Sequence, residues 1–292
     1  AWGVNFAALE DGASNYISVR AADRAGNTAT ANDVLRILKN TVGPTVAITS
    51  PAGAYVSTIT AFAGTAAEMN EQSPPAYAEI SLQDLTDPAS WYYDGAAFAA
   101  GAETWLQAVG QASWSFDAST VPFSPAAQYK VRARARDING LETPAPYPAV
   151  SFRFSQTAPT VSLSTPIGGS TVSVFGEISG TAADAGGAGL LETEIYVKRI
   201  SDSKWWNSQA GDWGETMVAS ATAASALWTF APGPLLRGSL VHNQQYFVTV
   251  RVKDAASPAN YSAFAVPGAT FTCVDSLNPQ AVTQFTASTG SL

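Results

Sequence analysis

The chain carries one histidine, His242, and one cysteine, Cys273. A Ser/His/Asp or Cys/His relay would have to use that histidine, and His242 lies in the polar approach to a strand-like run, where a solvent-exposed loop histidine is expected. Asp84 and Asp87 offer two carboxylates of the kind that cleave glycosidic bonds as general acid and base. They stand beside Pro88 at the end of an alternating segment and have no clear counterpart at the same place in the third repeat, so turn chemistry accounts for them better. No phosphate loop, thiolate metal site or dinucleotide fingerprint occurs, and the expectation is a protein that is not an enzyme. The aromatic residues form a denser grouping. Trp91, Tyr92, Trp205 and Trp206, with Tyr93 and Trp213 nearby, could offer flat faces to sugar rings. Because the grouping recurs at two similar places, a role in the core or as a hairpin clasp is the simpler account. Arg132, Arg134 and Arg136 fall at every second position, like an anion-binding stripe.

The elements that carry these residues repeat. Residues 16–27, 129–140 and 246–260 read YISVRAADRAGN, YKVRARARDING and YFVTVRVKDAASPAN, about 115 residues apart. An aromatic phrase precedes each (Trp2 to Phe6, Trp114-Ser-Phe116, Trp228-Thr-Phe230). After the first two comes a short linker with proline and a fresh start, at Gly43-Pro-Thr-Val and Ala158-Pro-Thr-Val. A period that long is a domain rather than a solenoid unit. The reading is the end of one domain over 1–41, whole domains over 42–156 and 157–273, and the first strand of another over 274–292. The chain thus opens inside a repeat, and the array is expected to continue past both ends.

Within the second repeat, Thr45–Ser50 reads as a first strand with Val46 and Ile48 on one face. Residues 60–67 follow, with Phe62, Gly64 and Ala66 on one parity, matched by Ile178, Gly180 and Ala182 in the next repeat. A glycine inside a strand marks a close approach or room for a large neighbour, and a tryptophan is a reasonable occupant. Residues 78–85 turn Ile80 and Leu82 inward and Glu79 outward; the counterpart is Glu194-Ile-Tyr-Val197. An aromatic hairpin comes next, Trp91 to Phe98 and again Trp205 to Trp213. In residues 129–136, Tyr129, Val131, Ala133 and Ala135 share one face and Lys130 with the three arginines the other, which predicts one buried and one wet face. Glu79 and Glu194 then stand across from the arginines, and cross-strand ion pairs worth about 0.2–1 kcal/mol each are expected. Seven or so short strands without helical periodicity predict an all-β fold of tandem antiparallel β-sandwiches.

The order of these features resembles the bacterial immunoglobulin-like repeats of large extracellular adhesins and surface proteins. Tyr129-Lys-Val-Arg-Ala-Arg-Ala-Arg-Asp137 looks like that family's sixth strand, Tyr129 is similar to its tyrosine corner, and Asp23 with Ala25-Gly26-Asn27 matches its D-x-A-G-N turn. Trp91 to Gly95, Trp105-Leu106 and Trp114 to Phe116 look like its aromatic hairpin. Residues 278–288 resemble the first strand of a fibronectin type III domain. The first repeat departs from the pattern: counted back from the aspartate, Asn15 takes the tyrosine position and Tyr16 is displaced by one, which predicts a bulged or missing corner. In the third, Ala255 to Asn260 replaces the short turn.

In this fold the loops after strands two and six approach a domain junction, and acidic groups occupy both: Glu68 with Asp137, and Asp184 with Asp254. A calcium ion held there would lock one domain to the next, as the resemblance to adhesin repeats implies; an aspartate entering a tight turn is also an ordinary cap. No other cofactor is expected. Asn260-Tyr-Ser262 is a sequon that chance supplies, and Lys130 and Lys253 lie on the outward parity, against pilin-type cross-links.

Composition narrows the partners. At 46% hydrophobic and 13% charged residues, with a net charge of −8, the chain is globular. It lacks the basic stripe that neutralises phosphates, which excludes nucleic acid, and it has no apolar run able to span a membrane. The resemblance implies an extracellular or cell-surface stalk, sheath or adhesin shaft whose partners are neighbouring domains or copies, surface glycans or host proteins. Pro44 and Pro159 at the joints limit swivel. Two alternatives stay open. The segment could be accessory modules of a secreted polysaccharide-degrading enzyme. It could also be a filament subunit that donates the strand 274–292 to a neighbour.

Overall fold

The computed structural model describes residues 3–68, 74–86, 89 and 91–274. Trp2, Asp87, Pro88 and the fibronectin-like stretch 278–288 lie outside the described residues. The chain divides into two compact units, Ala1–Ser155 and Gln156–Leu292.

Unit 1 opens with an antiparallel hairpin, β1 (Ser14–Ala22) and β2 (Thr28–Leu38). A sandwich follows. Its first sheet holds β3 (Thr45–Ser50), β5 (Ala61–Ala67), β10 (Val109–Gly110) and β11 (Ser113–Asp117), in the order β10-β11-β5-β3. The second holds β4 (Tyr55–Val56), β6 (Pro75–Asp84), β7 (Tyr92–Tyr93), β8 (Phe98–Ala100), β12 (Gln128–Asp137) and β13 (Ala149–Phe154), in the order β4-β13-β12-β6-β7-β8, with β9 (Leu106–Gln107) also on β6.

Unit 2 repeats this plan. One sheet is β14 (Thr160–Thr165), β16 (Ile178–Ala183) and β21 (Leu227–Phe230), ordered β14-β16-β21. The other is β15 (Thr171–Val172), β17 (Leu190–Arg199), β18 (Trp205–Asn207), β19 (Asp212–Gly214), β22 (Gln245–Asp254) and β23 (Ala269–Cys273), with β20 (Ser220–Ala223) on β17. In both units the opening segment first pairs with one sheet and then crosses to lie parallel to the last strand of the other, β4 on β13 and β15 on β23. This all-β sandwich is the fold class expected from the alternation.

Period-two patterning decides which side chains meet between the sheets. Phe62, Ile80, Leu82, Tyr129, Val131, Ala133 and Ala135 form the first core, and Ile178, Ile195, Val197, Tyr246, Val248, Val250 and Val252 the second. The room beside the strand glycines is filled as expected. Trp114 lies opposite Gly64 and Trp228 opposite Gly180 in strand register, and both indoles are buried. A Cβ on Gly180 would come within 2.6 Å of Trp228 Cζ2 and would also meet the Ser162 carbonyl; Gly64 is hemmed in the same way by Trp114 and Ala47.

Tyrosine corners close both sandwiches. The Ser124 N–H donates to the Tyr129 hydroxyl at 2.8 Å, and the Val241 N–H to Tyr246 at 2.8 Å. The first repeat corrects the expectation of a lost corner. Asn15 ties the same five-residue loop from both sides: its Oδ1 accepts from the Glu10 N–H at 2.8 Å and its Nδ2 donates to the Glu10 carbonyl at 2.8 Å. A short amide does there what a phenol does elsewhere, because it can both donate and accept. The β1 register does shift, between Ile17 and Val19. Tyr246→Phe is expected to destabilise unit 2 by about 1 kcal/mol by removing the part-buried hydrogen bond from the Val241 N–H. Urea unfolding followed by tryptophan fluorescence measures this.

Candidate functional site

The arginine stripe and the aromatic residues meet on the outer face of the larger sheet of each unit. In unit 1, Arg134 stands directly across from Glu79 and its Nε donates to Glu79 Oε2 at 2.7 Å. In unit 2, Arg251 faces Glu194 in the same register, with Nε to Oε2 at 2.6 Å. The expected cross-strand ion pairs are therefore present. The expected wet face is not. Arg134 lies 4.3 Å from the centroid of Trp105, Arg132 lies 5.2 Å from that of Tyr147, and the two rings meet edge to face at 5.1 Å. Glu103 and Glu142 complete the layer. The first binds Arg132 at 2.9 Å, and the second takes Arg134, Arg136 and the Tyr147 hydroxyl.

Unit 2 builds its layer from other residues. Tyr261 and Phe264 cover Arg251 at 4.5 and 5.3 Å, and Tyr196 packs edge on against Phe264. Only 7% of Glu194 is exposed. Burial disfavours its ionised form, but hydrogen bonds from Tyr196 and Arg251, and the charges of Arg251 and Lys253, outweigh that and hold the carboxyl below its ordinary range. Burial, with the hydrogen bond to Glu194, pushes the Tyr196 phenol up to about 12. Arg134 and Arg251 are thus each sandwiched between a carboxylate in the sheet and an aromatic side chain from outside the sheet, a geometry suited to guanidinium. The layer was missed at sequence level because residues 103–105, 142–147 and 261–264 show no alternation.

The platform candidates part company. Trp205 and Trp206 are neighbours on one strand and face opposite sides. Trp206 is buried in the core with its centroid 5.3 Å from that of Trp213; Trp205 is half-buried beside Tyr196 and Lys198. The two indoles do not share one platform. Tyr93 is in the first core, whereas Trp91 and Tyr92 are half-buried, Tyr92 paired with Gln83 and Ala100.

The acidic candidates sit in turns. Asp184 accepts from the Gly186 and Gly189 N–H groups at 2.8 and 2.6 Å. Asp254 accepts from the Ala256 and Asn260 N–H groups at 3.1 and 2.8 Å and from Asn260 Nδ2 at 2.7 Å. Asp137 accepts from the Asn139 and Leu141 N–H groups at 2.9 and 2.8 Å and from Asn40 Nδ2 at 2.8 Å. Glu68 is half-buried just after β5. Among the described residues no three His, Cys, Asp or Glu side chains gather as a metal site. A cation at Asp137 or Asp254 would compete with these donors. Asn260, the sequon asparagine, has its amide on Asp254, so a glycan there would cost the cap. Asp84 caps its own turn through the Thr86 N–H at 2.8 Å, and His242 is exposed ahead of β22. No helix among the described residues is long and apolar enough to cross a membrane.

No family model matches the chain, and no curated protein does. Among solved structures it is similar to the FN1–FN3 domains of chicken CNTN1, with 13% identity, coverage of 88% of this chain and 73% of that one, and a TM-score of 0.40. It is also similar to the fibronectin(III)-like modules of Clostridium thermocellum CbhA, with 13% identity, coverage of 82% and 100%, and a TM-score of 0.42. A tetra-tandem repeat from the extending region of a large adhesion protein shows 19% identity, coverage of 86% of this chain and 55% of that one, and a TM-score of 0.29. The strand order within each unit, with the first strands of the sandwich shared between two sheets, is that of an immunoglobulin-like β-sandwich.

Proposed function

We propose that this segment is a tension-carrying, semi-rigid shaft of a longer secreted bacterial surface or fibre protein. It acts mechanically and without catalysis, and its immediate partners are the neighbouring domains of the same array. The observation that carries this reading is the parallel pairing of the opening and closing segments in both sandwiches. Pulling the two ends of a sandwich apart draws parallel strands in opposite directions along one axis. Their hydrogen bonds are then loaded together in shear rather than opened one at a time. In unit 1 these are Arg153 N to the Ala54 carbonyl at 2.8 Å and Ser155 N to Val56 at 2.9 Å; in unit 2 they are Thr272 N to Ser170 and Val274 N to Val172, both at 2.9 Å. The covered arginine layer supports the same reading, since its ionic groups are paired within each unit.

Single-molecule pulling of the full chain by its ends tests this. Two discrete force peaks are expected, each releasing roughly 350 Å of chain, as about 110 residues at near 3.5 Å each less the folded span require. Smooth extension without peaks overturns the reading.

A further inference from the structure

The three repeated turns share one pattern of aspartate bonds, although the third is two residues longer, and they differ in what takes the aspartate's second oxygen. In each, the aspartate Oδ1 accepts two turn N–H groups, and the aspartate's own N–H donates to the carbonyl of the closing residue: Asn27 for Asp23, Leu141 for Asp137 and Asn260 for Asp254. Where the closing residue is asparagine, its side-chain amide takes the second oxygen, Asp23 Oδ2 at 2.8 Å and Asp254 Oδ2 at 2.7 Å. At the middle turn the closing residue is leucine, which has no donor. Asp137 Oδ2 instead accepts from Nδ2 of Asn40, which lies 97 residues away in the linker after the β1–β2 hairpin.

The rest of that linker is held from both sides. Lys39 donates through Nζ to the Leu9 carbonyl at 2.8 Å, and its own carbonyl accepts from the Gly12 N–H at 3.0 Å. The Thr41 N–H donates to Asp11 Oδ1 at 3.1 Å and its hydroxyl to Asp11 Oδ2. Lys39 and Thr41 therefore bind the hairpin, while Asn40 between them points the other way and binds the sandwich. Gly43 and Pro44 are buried, Gly43 against the backbone of Glu142.

We propose that Asn40 and Asp137 form a latch that fixes the hairpin-bearing repeat against the sandwich after it, and that Leu141 sets the latch by bringing no side-chain amide to the second carboxylate oxygen of its turn, which Asn40 bonds. This deepens the shaft reading and rests on it for its mechanical meaning. An extended linker bonded alternately to two bodies has little freedom to twist, because each neighbouring residue opposes the rotation its predecessor allows.

Residual dipolar couplings of the full 292-residue chain test the latch. In the wild type, couplings from β1–β2 and from β12–β13 are expected to fit one alignment frame with equal magnitude. Asn40→Ala removes the donor. Leu141→Asn restores the internal cap seen at Asp23 and Asp254 and draws Asp137 Oδ2 away while leaving Asn40 in place. Both should lower the hairpin's alignment magnitude below that of the sandwich, because domain motion on the ns to sub-ms scale averages the couplings, while its couplings still fit one rigid hairpin. Leu141→Ala, which offers no amide, should leave the common frame intact. Equal magnitudes in Asn40→Ala and Leu141→Asn overturn the latch and leave the shaft reading standing. A wild-type hairpin already averaged relative to the sandwich overturns the latch as well, and the shaft reading is then decided separately by its force peaks.

Discussion

Gly180→Ala should lower the melting transition of unit 2 by roughly 10–20 °C, the effect of a loss of about 3 kcal/mol in a domain of this size. One methyl group has this effect because two neighbours crowd the position and neither can leave. On one side stands the Ser162 carbonyl, part of the adjacent strand β14, so relief there requires the strand pairing to open. On the other lies the Trp228 ring, 2.6 Å from where the methyl carbon would sit and 1% exposed. A fully buried indole in a packed core has no empty rotamer to move into. Trimming the ring with Trp228→Phe in the same chain is expected to recover only part of the loss, because the carbonyl remains. Differential scanning calorimetry decides it, with hydrogen exchange to assign each transition to its unit. Gly64→Ala should move the transition of unit 1 instead. A shift under 2 °C for Gly180→Ala would mean that β14 yields without cost.

The sandwich itself was readable because its causes are periodic. Tyr129, Val131, Ala133 and Ala135 alternate with Lys130 and the arginines, and a strand can obey that pattern in only one way. Gly64 and Gly180 were legible for a related reason: a missing side chain at an inward position implies a large neighbour and a tryptophan was expected, although only the strand register shows that it is Trp114 and Trp228. What covers the arginines was not legible. Trp105, Tyr147, Tyr261 and Phe264 reach the sheet from loops of different length in the two units, and loop direction leaves no period in the sequence. Asn15 was misread for a simpler reason. A tyrosine corner was treated as a matter of residue type, whereas the loop needs any side chain that can hold the backbone five residues earlier, and an amide satisfies that. The Asn40 latch left a trace, in Leu141 standing where Asn27 and Asn260 stand, but its meaning depends on which oxygen of the aspartate is otherwise taken.

Arg251→Ala should destabilise unit 2 by about 2–3 kcal/mol at pH 7, less than breaking a fully buried ion pair costs because the arginine is about one-third exposed. The loss comes less from the attraction removed than from the carboxylate left behind. Glu194 would remain charged under Tyr196 and Phe264 with the Tyr196 hydroxyl and the more distant Lys253 charge to offset its lost hydration. The sign of the pH dependence follows. In the wild type the folded carboxyl titrates below its ordinary range, so its stabilising contribution is full above about pH 5 and fades as pH falls through that lowered value. In the variant the arginine no longer opposes burial, the folded value rises from its lowered position, and the penalty is relieved as Glu194 takes up a proton. The stability gap between the two proteins should therefore be widest near neutrality and narrow steadily below about pH 4.5. Urea midpoints at pH 7 and pH 3.5 measure this. Glu194→Gln in the Arg251→Ala chain should recover part of the loss at pH 7 and little at pH 3.5, which separates a stranded charge from lost packing over the guanidinium. A gap equal at the two pH values would place the role of Arg251 in its contacts with Tyr261 and Phe264 rather than in its charge.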